Sequence, residues 1–173
     1  MLAEPGPTFP PDRLASALEQ LSPRAWAKPV TDGDDVNPGY QFAQLIVGGH
    51  VRDAAALFAF VLIEFQPVFT AWIAKVPPHG FIAPHIDAGP YRERWHVPIH
   101  PSGTFDGCGV DAGVSFLVRH WEPHRVDNPT DRPRIHIVID RAEMVDVPTA
   151  PFQRVEALHE GPYEVSTVRH PQR

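Results

Sequence analysis

The chain has 173 residues and a formal net charge of −6, from 15 Lys and Arg against 21 Asp and Glu. Hydrophobic residues make up 43%, which suits one globular domain with a sizeable core and is too much for a disordered chain. The acidic balance argues against a nucleic-acid surface, which needs a basic stripe. Only Lys28 and Lys75 are lysines, so nearly all the cations are planar forks suited to carboxylates.

Cys108 is the single cysteine, so no internal disulfide can form, which fits a reducing compartment. The opening MLAEPGPTFPPDRL has neither a basic n-region nor an apolar h-region, and no signal peptide is expected. The most apolar run, residues 54–63, is too short to span a bilayer. The expectation is a cytoplasmic protein with no membrane contact, monomeric or forming a small oligomer.

In chain order, a proline-rich lead precedes DRLASALEQL (12–21), where Leu14, Ala17, Leu18 and Leu21 share a helical face and Asp12 reads as N-cap. Residues 32–40 read as a turn-rich loop. HVRDAAALFAFVLIEF (50–65) reads as a second, largely buried helix, with strand as the alternative because of its β-branched and aromatic content. From about residue 69 the texture becomes short and β-rich: 69–76, 81–87, 93–100, 114–120, 124–128 and 134–140, separated by proline- and glycine-bearing turns. Such spacing suggests a sandwich or barrel. A single domain over 1–173 is expected, with 1–68 a largely helical support, 69–142 the β core and 143–173 a C-terminal extension.

Two strands carry unusual chemistry on one face. In RWHVPIH, Arg94 and His96 share a face, and Trp95, Val97 and Ile99 share the other. In RIHIVID, Arg134, His136 and Val138 oppose Ile135, Ile137 and Ile139. A solvent-facing strand would carry Thr, Lys, Glu and Ser; two Arg-x-His pairs point to a shared polar cavity. His85 and Asp87, two apart, can reach one metal ion from an extended segment. A second histidine from a distant strand would complete a two-His, one-carboxylate site with open positions, which suits non-haem Fe(II). His124 is the better candidate for that histidine, and His120 is the runner-up. Taken alone, His-x-Asp is a weak motif that often arises by chance, and the plainer reading is a strand-end histidine followed by a turn-initiating aspartate.

HIDAGPYRERWHVPI followed by HRVDNPTDRPRIHIVID resembles the aspartyl/asparaginyl β-hydroxylase branch of the Fe(II)/2-oxoglutarate-dependent oxygenases, over roughly residues 70–142. The resemblance rests on an ordered set. It comprises His-x-Asp, an Arg nine after that His, Arg-x-His, His-x-Val-x-Asn, an Arg ten after its His, and an apolar strand ending in Asp. The resemblance implies a double-stranded β-helix, a cupin-like jelly roll, mainly β with N-terminal helices. It implies His85, Asp87 and His124 as ligands of Fe(II), with Arg134 holding the distal carboxylate of 2-oxoglutarate and Arg94 and His96 facing the same co-substrate. His136 projects into that cavity, either as a polar lining group or as a satisfied core histidine. Arg92, Trp121 and Arg125 lie near the ligands as candidate substrate contacts.

The implied activity is O₂-dependent hydroxylation of an unactivated C–H bond in an amino acid, or in an Asp/Asn-type residue of a peptide, with release of succinate and CO₂. An intact carboxylate ligand argues against halogenation, which needs that position for a halide. The alternatives are a non-catalytic cupin-like module that binds a metal or small acid, and a zinc hydrolase, which leaves both strand-borne arginines without a purpose. The glycine-rich segment 100–113 is either a cover for the site or a plain connector.

Overall fold

The structure, a computed structural model, describes residues 5–28, 39–87 and 93–141. In chain order these form β1 (Pro5–Thr8), α1 (Pro11–Glu19), β2 (Gln41–Val47), β3 (His50–Val51), α2 (Ala59–Leu62) and β4 (Val68–Val76). There follow β5 (Phe81–His85), β6 (Glu93–His100), β7 (Thr104–Phe105), β8 (Val114–Val118), β9 (His124–Asp127) and β10 (Arg134–Arg141). A seven-stranded sheet runs β1-β8-β6-β10-β4-β2-β3, and a three-stranded sheet runs β5-β9-β7. Every strand pairing is antiparallel.

The period-two pattern of β6 and β10 sorts side chains to the two faces of the large sheet. Trp95, Val97 and Ile99 of β6 and Ile135, Ile137 and Ile139 of β10 join Leu14 and Ala17 of α1, together with Phe58, Val61, Leu62 and Phe65, in one core. Each fully buried Leu, Ile or Phe there contributes about 1.5–3 kcal/mol. Ile137→Ala would remove about 2–5 kcal/mol by leaving a cavity in that packing. The opposite face meets the small sheet: Phe105 of β7 packs edge-on against Phe116 of β8, with ring centroids 5.5 Å apart. Val76, Phe116, Val118 and Val126 complete that second core.

The helix at 12–21 forms as Pro11–Glu19, with Leu14 and Ala17 buried. The N-cap is Pro10, whose fixed φ precedes Pro11 at the helix start, and Asp12 sits inside the first turn. Asp12 therefore adds a favourable charge at the positive helix end rather than a cap. Residues 50–65 do not form one helix. His50–Val51 pair with β2, and a 3₁₀ segment (Asp53–Phe58), one α turn and a second 3₁₀ turn (Ile63–Phe65) follow. Aromatic and β-branched residues lose rotamer freedom in a regular helix, and here packing against the sheet decides the path.

The first 68 residues are also less helical than the sequence suggests. Seven-residue β2 pairs with β4 along the large sheet, and the proline-bearing β1 pairs with β8 at its edge, where missing N–H donors cost least. Within 69–141 the expected strands form close to where the alternation puts them, and one more, β7, forms within the segment 100–113 read as a loop. The segment 143–173, most of the 32–40 loop, and Arg92 lie outside the described residues. No helix among the described residues is long and apolar enough to cross a membrane.

Candidate metal and co-substrate site

The site lies between the two sheets. β5 ends on His85, whose pairing partner across the small sheet is His124, the first residue of β9. Asp87 follows two residues on, and its backbone N–H donates to the His120 carbonyl at 2.9 Å, which pins it as the chain leaves the sheet. One ligand atom from each of His85, Asp87 and His124 falls within 4.8 Å of the others. His124 Nε2 stands 3.2 Å from Asp87 Oδ2, and His85 Nε2 stands 3.6 Å from Asp87 Oδ1. Ligands about 2.0–2.2 Å from a shared ion lie roughly 3 Å apart, so little movement is needed to seat one.

The tautomers suit a metal. His85 Nδ1 donates to the Ala83 carbonyl at 2.7 Å, and His124 Nδ1 donates to the Glu122 carbonyl at 2.9 Å. A carbonyl only accepts, so both protons sit on Nδ1 and both Nε2 lone pairs point at Asp87. Burial holds His85 below its ordinary range, which keeps it neutral and able to ligate. Burial alone would raise the Asp87 carboxyl, but the close approach of the His124 ring and the charge of Arg94 outweigh it and hold the group well below the usual carboxylate range. His120 stays outside this group. It is buried with Nδ1 3.3 Å from the Asp87 carbonyl, so its ring braces the backbone of Asp87.

Arg134 and the two strand histidines form the deeper wall. Arg134 is 3% exposed, and its Nε and Nη2 have no hydrogen-bond partner among the described residues. Burial pushes its pKa down to about 9. His136 is buried beside it with neither ring nitrogen partnered, and His96 Nδ1 is likewise unpartnered. Burial, reinforced by the charge of Arg134, holds both imidazoles well below their ordinary range. Buried polar groups are rarely left unpaired in a protein interior. A buried guanidinium and neutral imidazoles with unpartnered nitrogens on one face of the sheet fit a small, anionic, multidentate guest.

Sequence reasoning did not single out Tyr40, Phe105 or Asp140 for this site. The Tyr40 phenol bonds to the Trp72 side chain and feels the charges of Arg94, Asp87 and Arg134; burial pushes its pKa up to about 12, so it stays protonated. Tyr40 lies at the end of a turn-rich segment, where no periodicity marks it. Phe105 comes from the glycine-rich stretch and stacks on His124, with centroids 5.3 Å apart and planes 21° apart. That stretch is thus neither a cover nor a plain connector at this point: it supplies one wall of the site. A Cβ on Gly103, at φ +78°, would overlap the Asp127 carbonyl, so glycine there lets β7 close onto β9.

The expected substrate contacts divide. Trp121 is 55% exposed, edge-on to His120 beside the ligands. Arg125 departs from the expectation. It alternates with His124 along β9, so it faces away from the cavity, exposed and paired with Asp127. Arg94 also departs, because its Nε and Nη2 pair with Asp140 at 2.7 and 2.9 Å and its Nη1 pairs with Asp87.

Solved structures share this arrangement of strands. The fold is that of the 2-oxoglutarate/Fe(II) oxygenases. A 2OG-Fe(II) oxygenase family oxidoreductase from Burkholderia pseudomallei is similar over 75% of this chain and 76% of its own, with 14% identity and a TM-score of 0.52. A viral collagen prolyl hydroxylase from Paramecium bursaria Chlorella virus-1, solved with 2OG, is similar over 79% of this chain and 93% of its own, with 8% identity and a TM-score of 0.53. A Pseudomonas putida prolyl-4-hydroxylase aligns at 18% identity over 81% and 92% of the two chains, with a TM-score of 0.49. No family model and no curated protein matches the sequence.

Proposed function

We propose that the protein is an Fe(II)- and 2-oxoglutarate-dependent hydroxylase. The observation that carries this reading is the pairing of two features: a two-His, one-carboxylate cluster with both Nε2 atoms directed at Asp87, and a buried arginine, Arg134, whose Nε and Nη2 have no hydrogen-bond partner among the described residues. His85, Asp87 and His124 would hold the metal, and Arg134 would bind the distal carboxylate of 2-oxoglutarate through a two-point pair. His96 and His136 would donate from their neutral rings to the remaining co-substrate oxygens. Fe(II), 2-oxoglutarate and O₂ together supply an oxidant strong enough to hydroxylate an unactivated C–H bond, with succinate and CO₂ as by-products. The chain's own part is to orient the co-substrate, to exclude water with Phe105, Phe116 and Tyr40, and to present the substrate near Trp121.

The ordered residues from His85 to Asp140 support the aspartyl/asparaginyl hydroxylase branch, with an amino acid or an Asp/Asn-type residue of a peptide as substrate. The lone Cys108 fits a reducing compartment, and the cytoplasm is the proposed place of action. The test is succinate formation from 2-oxoglutarate, with Fe(II) and ascorbate, across a panel of free amino acids and of peptides containing Asp, Asn or Pro. Coupled turnover is expected with one member, and Asp87→Ala abolishes it. Undiminished turnover in Asp87→Ala would sink the metal assignment. Metal binding without succinate from any substrate would leave a non-catalytic binding module instead.

A further inference from the structure

Arg94 occupies an unusual position for a residue expected to meet the co-substrate. It is 5% exposed, and two carboxylates share its guanidinium. Asp140, fully buried near the end of β10, takes a parallel two-point pair from Nε and Nη2. The third nitrogen, Nη1, reaches Oδ2 of Asp87. The sheet fixes this chain of contacts, because Arg94 on β6 and Asp140 on β10 are directly opposed in register. The Trp72 ring from β4 lies 5.0 Å from the guanidinium carbon and closes the remaining side. Asp87, by contrast, stands beyond the end of β5, with no ladder of its own to set its side chain.

We propose that Arg94 and Asp140 are positioning residues for the metal ligand Asp87. Asp140 locks the guanidinium fork, and the fork in turn fixes the carboxylate plane of Asp87. A carboxylate has enough lone-pair sites to accept from an arginine and still bind a metal. Groups behind metal ligands orient them and raise the affinity of the site. The co-substrate then relies on Arg134, whose donors are unpartnered, rather than on Arg94, whose donors are engaged. This inference rests on the metal-site reading above and assigns Arg94 a different task within it.

The experiment separates metal affinity from co-substrate affinity. Mn(II) is titrated into the full chain and followed by the EPR signal of the free ion; 2-oxoglutarate is then titrated calorimetrically at saturating Mn(II). Asp140→Asn and Arg94→Lys are each expected to weaken Mn(II) binding about 10- to 100-fold. Their 2-oxoglutarate affinity at saturating Mn(II) should stay within about threefold of the parent. Should Asp140→Asn fail to fold, Arg94→Lys carries the comparison alone, since it keeps a cation against Asp140 but loses the fork. Unchanged or tighter Mn(II) binding overturns the proposal, as does a loss confined to 2-oxoglutarate, which would make Arg94 a co-substrate ligand. Absence of Mn(II) binding by the parent chain is a different failure and rejects the metal-site reading itself.

Discussion

Replacing Arg134 by methionine should make the protein more stable and, on the proposed function, less able to bind 2-oxoglutarate. The guanidinium is 3% exposed, with Nε and Nη2 unpartnered, and burial lowers its pKa from 12.5 to about 9. At 1.36 kcal/mol per pH unit, retaining the charge costs the fold roughly 5 kcal/mol when no anion is bound. Methionine fills a similar volume without charge. Replacing buried charge by a packed apolar group has stabilised other proteins by about 1–4 kcal/mol, and a gain in that range is expected in urea unfolding of the metal-free chain. Truncating one side of a buried charge pair costs about 2–5 kcal/mol of binding, so 2-oxoglutarate affinity should fall roughly 30- to 5000-fold by calorimetry with Mn(II) present. The two effects have opposite signs, which makes the test strict. A destabilised Arg134→Met with unchanged 2-oxoglutarate affinity would show that the arginine serves the fold and not a guest.

Acid should unfold the metal-free protein earlier than carboxylate titration alone predicts. His96 and His136 have folded-state pKa values well below the unfolded 6.5, so the unfolded chain binds more protons and stability falls as pH drops below about 6.5. Together they set a slope of up to about 2.7 kcal/mol per pH unit, with His85 and His100 lowered in the same direction. Asp140, raised by burial, takes up its proton more readily when folded and flattens the acid end of the curve. Urea unfolding between pH 7.5 and 5.5 tests this, and a level free energy across that range refutes it. Phe105→Ala should cost about 3–5 kcal/mol, because the ring is 5% exposed and contacts His96, Phe116 and His124. The same substitution should loosen Mn(II) binding through His124, which EPR titration would detect. Gly103→Ala, forced to keep a positive φ against the Asp127 carbonyl, should lose more than about 1 kcal/mol in thermal unfolding.

How far the chain announces itself depends on whether the signal is local. The faces of β6 and β10 are legible because strand side chains alternate strictly, so Arg94, His96, Arg134 and His136 separate from the isoleucines by counting in twos. His85 and Asp87 are picked out by the same spacing of two, although β5 ends on His85 and Asp87 lies just beyond it. β2 escaped because its place is set by pairing with β4, about thirty residues away in sequence, and its own pattern is nearly continuous apolar. The break-up of 50–65 escaped because an apolar run does not say whether sheet contacts or helical hydrogen bonds will win. The role of Arg94 could not be read either: a sequence shows that an arginine faces a cavity, not that Asp140, 46 positions on, already holds its fork.

β10 is a party wall. Its odd-numbered residues from 135 to 139 belong to the helix-backed core, and its even-numbered residues Arg134, His136 and Asp140 lie on the face that carries the candidate site, with Val138 packed among them against Phe42 and Trp72. Substitutions along this one strand should therefore produce two alternating phenotypes. Changes at Ile135, Ile137 and Ile139 act through how much folded protein accumulates. Changes at Arg134, His136 and Asp140 act through what that folded protein can hold. The strand also cannot drift, because a slip of one position would exchange the two sets outright. Any sequence that folds around this wall has already chosen which of its side chains face the site.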